Sequence, residues 1–301
     1  MIIAVTGGTG FVGSHFIDAA TAAGHEIQAL TRRPQKPRSG IHWVPGSLTD
    51  PDSLRQLVSG SDAVVHIAGV INAREPAEFE RANVEGTLAM LAAATAAGVT
   101  RFVHVSSLAA REPKLSRYGA SKARSETLVE RSGLDWAIVR PPAVYGPGDR
   151  ETLELFRMAS LRLMLLPPRG RVSLIHVDDL ARLLLVLAES DRQSGVLYEP
   201  DDSAENGWSH KQLAQAIGRA VGKSQLALSM PKTMLKIGAA VDQLVRRERA
   251  KLSSDRAAYF SHSDWVVRTD RRPPPELWRP QVPTEQGLAE TASWYRAEGW
   301  L

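Results

Sequence analysis

A tyrosine and a lysine four positions apart could carry out proton transfer. Tyr118 and Lys122 lie in the run YGASK, which is predicted to open a helix, so their side chains share one helix face. A phenol is a poor acid or base near neutral pH unless a nearby cation stabilises the phenolate. Ser107 ends the run VSS after a predicted strand and could hold a substrate oxygen. We therefore take Ser107, Tyr118 and Lys122 as candidate catalytic residues, although a Tyr and a Lys at this spacing are also common on helix surfaces.

A glycine-rich turn joins the first predicted strand to the first predicted helix. Its sequence, TGGTGFVG, occupies residues 6–13. Glycines at this spacing allow a tight turn, close approach of the backbone to a pyrophosphate and close packing of the helix on the strand. The turn therefore predicts a dinucleotide site rather than an ordinary loop. The residues expected to contact the cofactor here are Gly7, Thr9, Gly10, Phe11, Val12 and Gly13.

The end of the second predicted strand favours NADP over NAD. An acidic residue there would bind both ribose hydroxyls of NAD, but the sequence reads ALTRR. The adjacent guanidinium groups of Arg32 and Arg33 suit a 2'-phosphate through charge-assisted hydrogen bonds. The alternative is that they are two solvated surface arginines.

The first half of the chain alternates short β-rich runs with helical runs, which is typical of a parallel sheet covered by helices on both faces. Strands are predicted at 2–6, 26–31, 41–45, 63–67, 101–105 and 135–139. Helices are predicted at 11–23, 51–59, 76–97 and 118–131. The pattern predicts an α/β fold with a doubly wound parallel (Rossmann) sheet.

After Arg140 the predicted segments are shorter and are separated by prolines. This change indicates that a second lobe begins there. We expect a dinucleotide-binding domain at 1–150, joined by a strand–helix unit near 172–190, and a smaller, mixed substrate-binding lobe over most of 151–301. Helices are predicted in that lobe near 209–221 and 231–247. The amphipathic run 232–249 is either a lid over the substrate or a structural helix.

These motifs occur in a specific order: TGGTGFVG, VVHIAG, NVEGT, VSS, YGASK, RPPAVYGPGD and HVDDLA. In that order they resemble the extended short-chain dehydrogenase/reductase family, the NAD(P)-dependent epimerase/dehydratase type. The resemblance implies hydride transfer between NADP(H) and an alcohol or carbonyl substrate. It also implies that Tyr118 transfers the proton, Lys122 lowers the tyrosine pKa and contacts the nicotinamide ribose, and Ser107 orients the carbonyl. The further positions implied to line the site are Ala68, Gly69, Asn83, Pro142 and Val144.

Departures from the family pattern narrow the expected activity. Leu108-Ala109-Ala110 lacks the acidic pair of sugar dehydratases, and Ala143 replaces the Asn of many nucleotide-sugar epimerases. The chain is more similar to the dihydroflavonol-reductase and hydroxysteroid-dehydrogenase branches. Two alternatives stay open: a nucleotide-sugar epimerase or reductase with bound NAD(P), and a non-catalytic cofactor-binding scaffold. The arginines that could clamp a sugar diphosphate are Arg157, Arg162, Arg169 and Arg171.

Composition limits the remaining classes. The 301 residues are 43% hydrophobic with a net charge of +4, spread too evenly to predict a nucleic-acid partner. There is no cysteine and no His cluster at metal-ligand spacing, so we expect neither a disulfide nor a metal. The sequence has no apolar run long enough for stable insertion into a membrane. We therefore expect a cytoplasmic enzyme that acts on a small-molecule alcohol or carbonyl compound. The resemblance implies a homodimer through helices 76–97 and 118–131.

Overall fold

A computed structural model describes residues 1–73, 75–191, 193–229, 259 and 261–301. The predicted helices at 231–247 and 232–249 lie outside the described residues. The chain forms two compact units, each made of several segments. The first unit comprises Met1–Pro141, Asp178–Glu199 and Pro273–Arg279. The second comprises Pro142–Val177, Pro200–Arg272 and Pro280–Leu301.

The first unit is built on a seven-stranded sheet in which every neighbouring pair is parallel. Its strands are β1 (Ile2–Thr6), β2 (Glu26–Thr31), β3 (Ile41–Pro45), β4 (Ala63–His66), β5 (Arg101–Val105), β6 (Asp135–Val139) and β11 (Val196–Tyr198). They lie in the order β11-β6-β5-β4-β1-β2-β3, so the strand order reverses beside β1, as in a doubly wound fold. The predicted Rossmann fold is confirmed. β11 was not predicted, because its three residues are too few to show a periodic pattern.

Helices cover both faces of this sheet. They are α1 (Phe11–Ala22), α2 (Pro51–Val58), α3 (Pro76–Phe79), α4 (Gly86–Ala96), α5 (Arg117–Glu130) and α7 (Val177–Glu189). A π-helical segment, Glu80–Glu85, interrupts the helix predicted over 76–97. Asp50 caps α2 by accepting hydrogen bonds from the amides of Asp52 and Ser53, and Pro51 takes the first helical position. Because β5 is covered on both faces, all five of its residues are buried.

The second unit packs short strands and helices around its own apolar core. Its elements are β7 (Ala143–Tyr145), α6 (Leu153–Ser160), β8 (Leu163–Leu166), β9 (Arg171–Val172), β10 (Leu174–His176), β12 (Trp208–Ser209), α8 (His210–Val221), β13 (Leu226–Ser229), β14 (Asp264–Trp265) and α9 (Thr284–Ala297). Phe156 and Tyr295 meet edge to face in this core, with ring centroids 5.1 Å apart. Among the residues described, no helix is long and apolar enough to cross a membrane.

Candidate active site

The glycine turn after β1 leaves no room for larger side chains. Gly7 has φ +76°, and a Cβ there would lie 2.7 Å from the amide nitrogen of Ala68. A Cβ on Gly13 would lie 2.1 Å from the carbonyl oxygen of Gly7. Both contacts involve backbone, which cannot move aside as a flexible side chain can. The turn therefore lies against the loop after β4 at Gly7, and the start of α1 lies against the turn at Gly13.

The N-terminus of α1 is suited to an anion. Gly10 is the N-cap residue, and neither a side-chain cap nor an acidic residue occupies the first turn. The amide of Ser14 donates to the Gly10 carbonyl at 2.9 Å, so intrahelical bonding starts there. The amides of Phe11, Val12 and Gly13 precede that first bond and have no intrahelical acceptor. These free donors and the helix dipole fit the pyrophosphate of a dinucleotide.

Arg32 and Arg33 follow β2 directly and are exposed. The Thr31 hydroxyl donates to the carbonyl oxygen of Arg33 at 2.6 Å, which folds the chain back after the strand. Within the described part of the chain, no carboxylate pairs with either guanidinium. Both are therefore available to an anionic ligand.

Lys122 is buried within the first unit. Its side chain is 3% exposed, and Nζ donates to the carbonyl oxygen of Val105 at 2.8 Å. Burial lowers the pKa of Lys122 from 10.5 to about 8, although the charge of Glu126 raises it. A Cβ on Gly69 would lie 3.9 Å from Nζ, so the loop expected to line the cofactor borders the ammonium group.

Tyr118 lies in the first turn of α5, one turn before Lys122. Ser116 caps this helix by accepting from the Gly119 amide at 2.9 Å. A Cβ on Gly119 would lie 2.5 Å from the carbonyl oxygen of Ala109, so α5 begins in close contact with the segment after β5. The Tyr118 ring is half-buried and lies 6.2 Å from the Phe79 ring.

Ser107 sits between β5 and a short 3₁₀ helix, Leu108–Arg111, that it caps. Its Oγ accepts a hydrogen bond from the Ala109 amide at 3.2 Å. This bond orients the side chain and leaves the hydroxyl proton free for donation to another acceptor. Both Ser107 and Val105 thus belong to the carboxyl end of β5, where open α/β sheets bind ligands.

Asn83 lies in the π-helical segment and is 1% exposed. Its Oδ1 accepts from the Val70 amide at 2.8 Å, and its Nδ2 donates to the Val70 carbonyl at 3.0 Å and to Ser121 Oγ at 2.9 Å. Asn83 was expected at the site only because of the family resemblance. A π-helical turn often marks a functional site, because its extra residue turns a side chain inward.

A buried charged group behind Lys122 was not predicted from the sequence. Glu126 accepts from Arg140 Nε at 2.8 Å and from Arg140 Nη2 at 2.6 Å, and Ser106 Oγ donates to it at 2.5 Å. Arg140 also contacts Glu199 at 3.4 Å. Glu126 follows Lys122 by four residues on the same helix, which is the spacing that could have indicated it.

Two buried histidines stack beneath the site. The rings of His66 and His104 are 5.5 Å apart and 19° from parallel. Burial, followed by the charge of Lys122, lowers the pKa of His66 to about 3 and that of His104 well below its ordinary value. Both are therefore neutral near pH 7. His66 contacts Thr6 and Thr87 through its two nitrogens, at 2.7 and 3.1 Å.

Of the other predicted site residues, Ala68 lies beside the glycine turn, whereas Pro142 and Val144 lie in the second unit. The Ala68 amide donates to Thr6 Oγ1 at 3.3 Å, which holds the loop after β4 against β1. Pro142 and Val144 belong to the second unit, where Val144 in β7 pairs with Ile175.

No three His, Asp or Glu side chains of the described residues are grouped closely enough to hold a metal ion.

The four arginines considered for a diphosphate clamp are also in the second unit. Arg157 donates to the Trp300 carbonyl, and Arg171 donates to the carbonyls of Asn206 and Gly207. Arg162 and Arg169 are exposed. Two of the four guanidinium groups are therefore already engaged with backbone oxygens.

Residues 3–198 match the NAD dependent epimerase/dehydratase family. The chain belongs to this family. It is an NAD(P)-dependent oxidoreductase of the short-chain dehydrogenase/reductase type, so the predicted enzyme class is confirmed.

Curated relatives carry reductase names. The chain is 36% identical to a ceramide reductase from Caulobacter vibrioides, over 100% of this chain and 96% of that protein. It is 32% identical to 4-hydroxy-2-methyl-3-oxo-4-farnesyl-3,4-dihydroquinoline-1-oxide ketoreductase from Stigmatella aurantiaca, over 65% of this chain and 67% of that protein. It is 31% identical to 2-alkyl-3-oxoalkanoate reductase from Stenotrophomonas maltophilia, over 54% and 58% of the two chains.

Solved structures share the fold over nearly the whole chain. The structure of gox2253 has a TM-score of 0.80 at 24% identity, covering 100% of this chain and 99% of that one. MoeE5 in complex with UDP-glucose and NAD has a TM-score of 0.76 at 21% identity, covering 99% of each chain. At this level of identity the likeness establishes the fold alone.

Proposed function

We propose that this enzyme uses NADP(H) to reduce the ketone of a lipophilic substrate by a Ser-Tyr-Lys mechanism. The observation that carries the proposal is the buried ammonium group of Lys122, held at the end of β5 one helical turn from Tyr118. The same strand end presents Ser107. A proton donor, a cation and a hydrogen-bond donor thus come from two adjacent elements of the first unit.

The nicotinamide of the bound cofactor would supply the hydride. Tyr118 Oη would donate its proton to the carbonyl oxygen as negative charge develops there, and the Ser107 hydroxyl would donate a hydrogen bond to the same oxygen. Lys122 would stabilise the resulting phenolate, and its remaining N–H groups would bind the ribose. Because one N–H of Lys122 donates to the Val105 carbonyl, the ammonium group is held at the end of β5 before substrate binds.

Preference for NADP(H) is supported by the two exposed arginines after β2, which have no carboxylate partner among the residues described. A 2'-phosphate would accept charge-assisted hydrogen bonds from Arg32 and Arg33. The hydrogen bond between Thr31 and the Arg33 carbonyl supports the turn that presents them.

The substrate class rests on the names of the relatives. A ceramide, a farnesylated quinoline and a 2-alkyl-3-oxoalkanoate all carry long or bulky hydrocarbon groups. The full-length match to ceramide reductase favours the keto form of a ceramide-type lipid, since hydride transfer from a nicotinamide reduces a ketone and not an amide.

The test combines binding and turnover. We expect NADPH to bind more tightly than NADH, and Arg32→Ala to weaken NADPH binding about tenfold or more while leaving NADH binding unchanged. Arg55→Ala is the matched control, because Arg55 is an exposed arginine on α2. The purified enzyme should oxidise NADPH with a detergent-solubilised keto-ceramide.

Tyr118→Phe should lower kcat by at least about a hundredfold with little change in the Kd of NADPH. Unchanged turnover in that variant would refute the assigned proton donor. Equal or tighter binding of NADH would refute the NADP preference and favour an epimerase with bound NAD.

A further inference from the structure

Strands β8 and β13 of the second unit form a two-stranded parallel sheet with an apolar outer face. Leu226 pairs with Leu163, and Leu228 pairs with Leu165. The exposed fractions are 62% for Leu226, 43% for Leu163, 46% for Leu228 and 42% for Leu165. On the opposite face of β8, Met164 is buried. A half-buried strand ordinarily places polar residues on its outer face, so leucine at all four positions requires a different explanation.

Leu161, which ends α6 two residues before β8 begins, is 80% exposed. We call these five residues the leucine face: Leu161, Leu163, Leu165, Leu226 and Leu228. They account for five of the eight exposed large hydrophobic side chains in the described part of the chain. Single exposed leucines are ordinary, whereas a contiguous group marks a surface that meets another apolar phase.

Basic residues border the leucine face. Residues 155–177 contain four arginines and residues 206–229 contain two lysines and an arginine, and neither segment contains an Asp or a Glu. Arg162 directly precedes Leu163, and the Leu226 amide donates to the Arg162 carbonyl at 2.9 Å. Lys223 therefore lies near the same end of the sheet, and Arg169 follows the other end of β8. All three side chains are exposed.

We propose that the leucine face is a docking surface for an anionic phospholipid bilayer. Leucines would enter the interface between headgroups and acyl chains, while Arg162, Lys223 and Arg169 would contact lipid phosphates. A second copy of this chain suits the surface less well, because its own basic border would be repelled. The inference extends the proposed function, since a ceramide-type ketone resides in a bilayer and has to be taken from it.

Vesicle binding tests the surface without cofactor or substrate. The full chain would be floated with vesicles of phosphatidylcholine alone and of phosphatidylcholine with phosphatidylglycerol, at low and high salt. We expect binding to the anionic vesicles that weakens with salt. Leu163→Gln with Leu226→Gln should reduce that binding by about tenfold or more, because two paired leucines lose their apolar contact.

Leu88→Gln is the matched control. Leu88 is also an exposed leucine, at 53%, but it lies on α4 in the first unit. Its replacement should leave vesicle binding unchanged. If the double variant shows no cooperative thermal unfolding, and so is not folded, the single variants Leu161→Gln and Lys223→Gln are tested instead. Each of them alters one exposed side chain.

Two results would overturn the proposal. One is failure of the wild-type chain to bind anionic vesicles; the other is equal binding by variants of the leucine face. If light scattering instead showed an oligomer that these variants dissociate, the face would be an interface between copies of the chain. Failure of the reductase assay alone would leave vesicle binding intact, so the proposed function and the docking surface fail separately.

Discussion

Lys122 Nζ donates a hydrogen bond to the carbonyl oxygen of Val105 at 2.8 Å, and this bond joins α5 to the last residue of β5. The residues of β5 and the loop after it carry the candidate serine, and α5 carries the candidate tyrosine. One buried ammonium group thereby links both elements, together with the hydrogen bond from Ser106 to Glu126. Its burial makes its charge sensitive to the groups around it.

The first prediction concerns Glu126. Burial lowers the pKa of Lys122 to about 8, and the charge of Glu126 limits this lowering. His66 and His104 face the same ammonium group as neutral rings. We expect kcat/KM for carbonyl reduction to fall as pH rises through about 8, because the cation is lost. Glu126→Gln removes the favourable charge, so the falling limb should move to lower pH.

The pH profile separates this effect from a loss of stability. Glu126→Gln also weakens the contact with Arg140 and should lower the thermal midpoint, but unfolding alone does not shift a kinetic pKa. Glu130→Gln, on the exposed surface of α5, is the control and should leave the limb in place. Coincident profiles for wild type and Glu126→Gln would contradict the prediction.

The second prediction concerns Asn83. Asn83→Ala leaves the partly buried amide and carbonyl of Val70 without their side-chain partners, so we expect a loss of about 1–3 kcal/mol in the free energy of unfolding. The loop around Gly69 should also become less ordered, which would weaken cofactor binding. Denaturant titration and the Kd of NADPH measure the two effects.

Ser121→Ala serves as the comparison for Asn83. It removes the Ser121 acceptor of Asn83 Nδ2 and the hydrogen bond from Ser121 Oγ to the Tyr118 carbonyl at 2.7 Å, but it keeps both bonds to Val70. We therefore expect a smaller change in cofactor affinity than for Asn83→Ala. Equal losses in the two variants would mean that the contact with Ser121, and not the support of the loop, is the important one.

The third prediction uses two glycines with similar backbone conformations. Gly7 and Gly24 have φ of +76° and +85°, so alanine is strained at both. Nothing lies within 4 Å of a Cβ on Gly24, whereas a Cβ on Gly7 would lie 2.7 Å from the Ala68 amide nitrogen. Gly24→Ala should cost about 1 kcal/mol and keep cofactor binding. Gly7→Ala should cost more and abolish binding.

Cofactor titration and thermal unfolding of both variants check this comparison. Both variants have the same kind of backbone strain. The difference between them in stability and in cofactor affinity therefore measures the effect of the close contact between the turn and the loop after β4. Tight NADPH binding by Gly7→Ala would show that the turn does not need this approach.

The fourth prediction concerns acid stability. Because the pKa of His66 is lowered to about 3, the unfolded chain binds an extra proton between that value and the ordinary one near 6.5. Stability contributed by the neutral ring is therefore full above pH 6.5 and is lost as pH falls toward 3. Between about pH 7 and about pH 5 the loss should be about 2 kcal/mol for His66 alone. His104 adds a loss in the same direction.

Replacement of the rings should flatten this dependence. His66→Gln and His104→Gln each lower stability at neutral pH, but the fall between neutral and mildly acidic pH should become smaller. His42→Gln is the control, because His42 is exposed on β3. Denaturant unfolding at both pH values gives the comparison, and an unchanged pH dependence in His66→Gln would rule out its buried neutral state.

The sequence alone determined the sheet, the cofactor turn and the tyrosine–lysine pair. Six of the seven strands have apolar runs long enough to be recognised as strands by their length and hydrophobic pattern. The glycines of residues 6–13 predict a tight turn, because the steric limits on its backbone are local in the chain. The spacing of Tyr118 and Lys122 is likewise a property of one helix. Local rules therefore predicted the sheet of the first unit and the candidate catalytic residues, but few of the short strands of the second unit.

Only the tertiary structure revealed the surroundings of those residues. Glu126 of α5 meets Arg140, which directly follows β6, and His66 of β4 stacks on His104 of the neighbouring strand β5. Desolvation depends on how many elements cover a group, which no local pattern records, so the lowered pKa of Lys122 could not be predicted from spacing. The leucine face was hidden for the same reason, because burial of a leucine is decided by what packs against its strand.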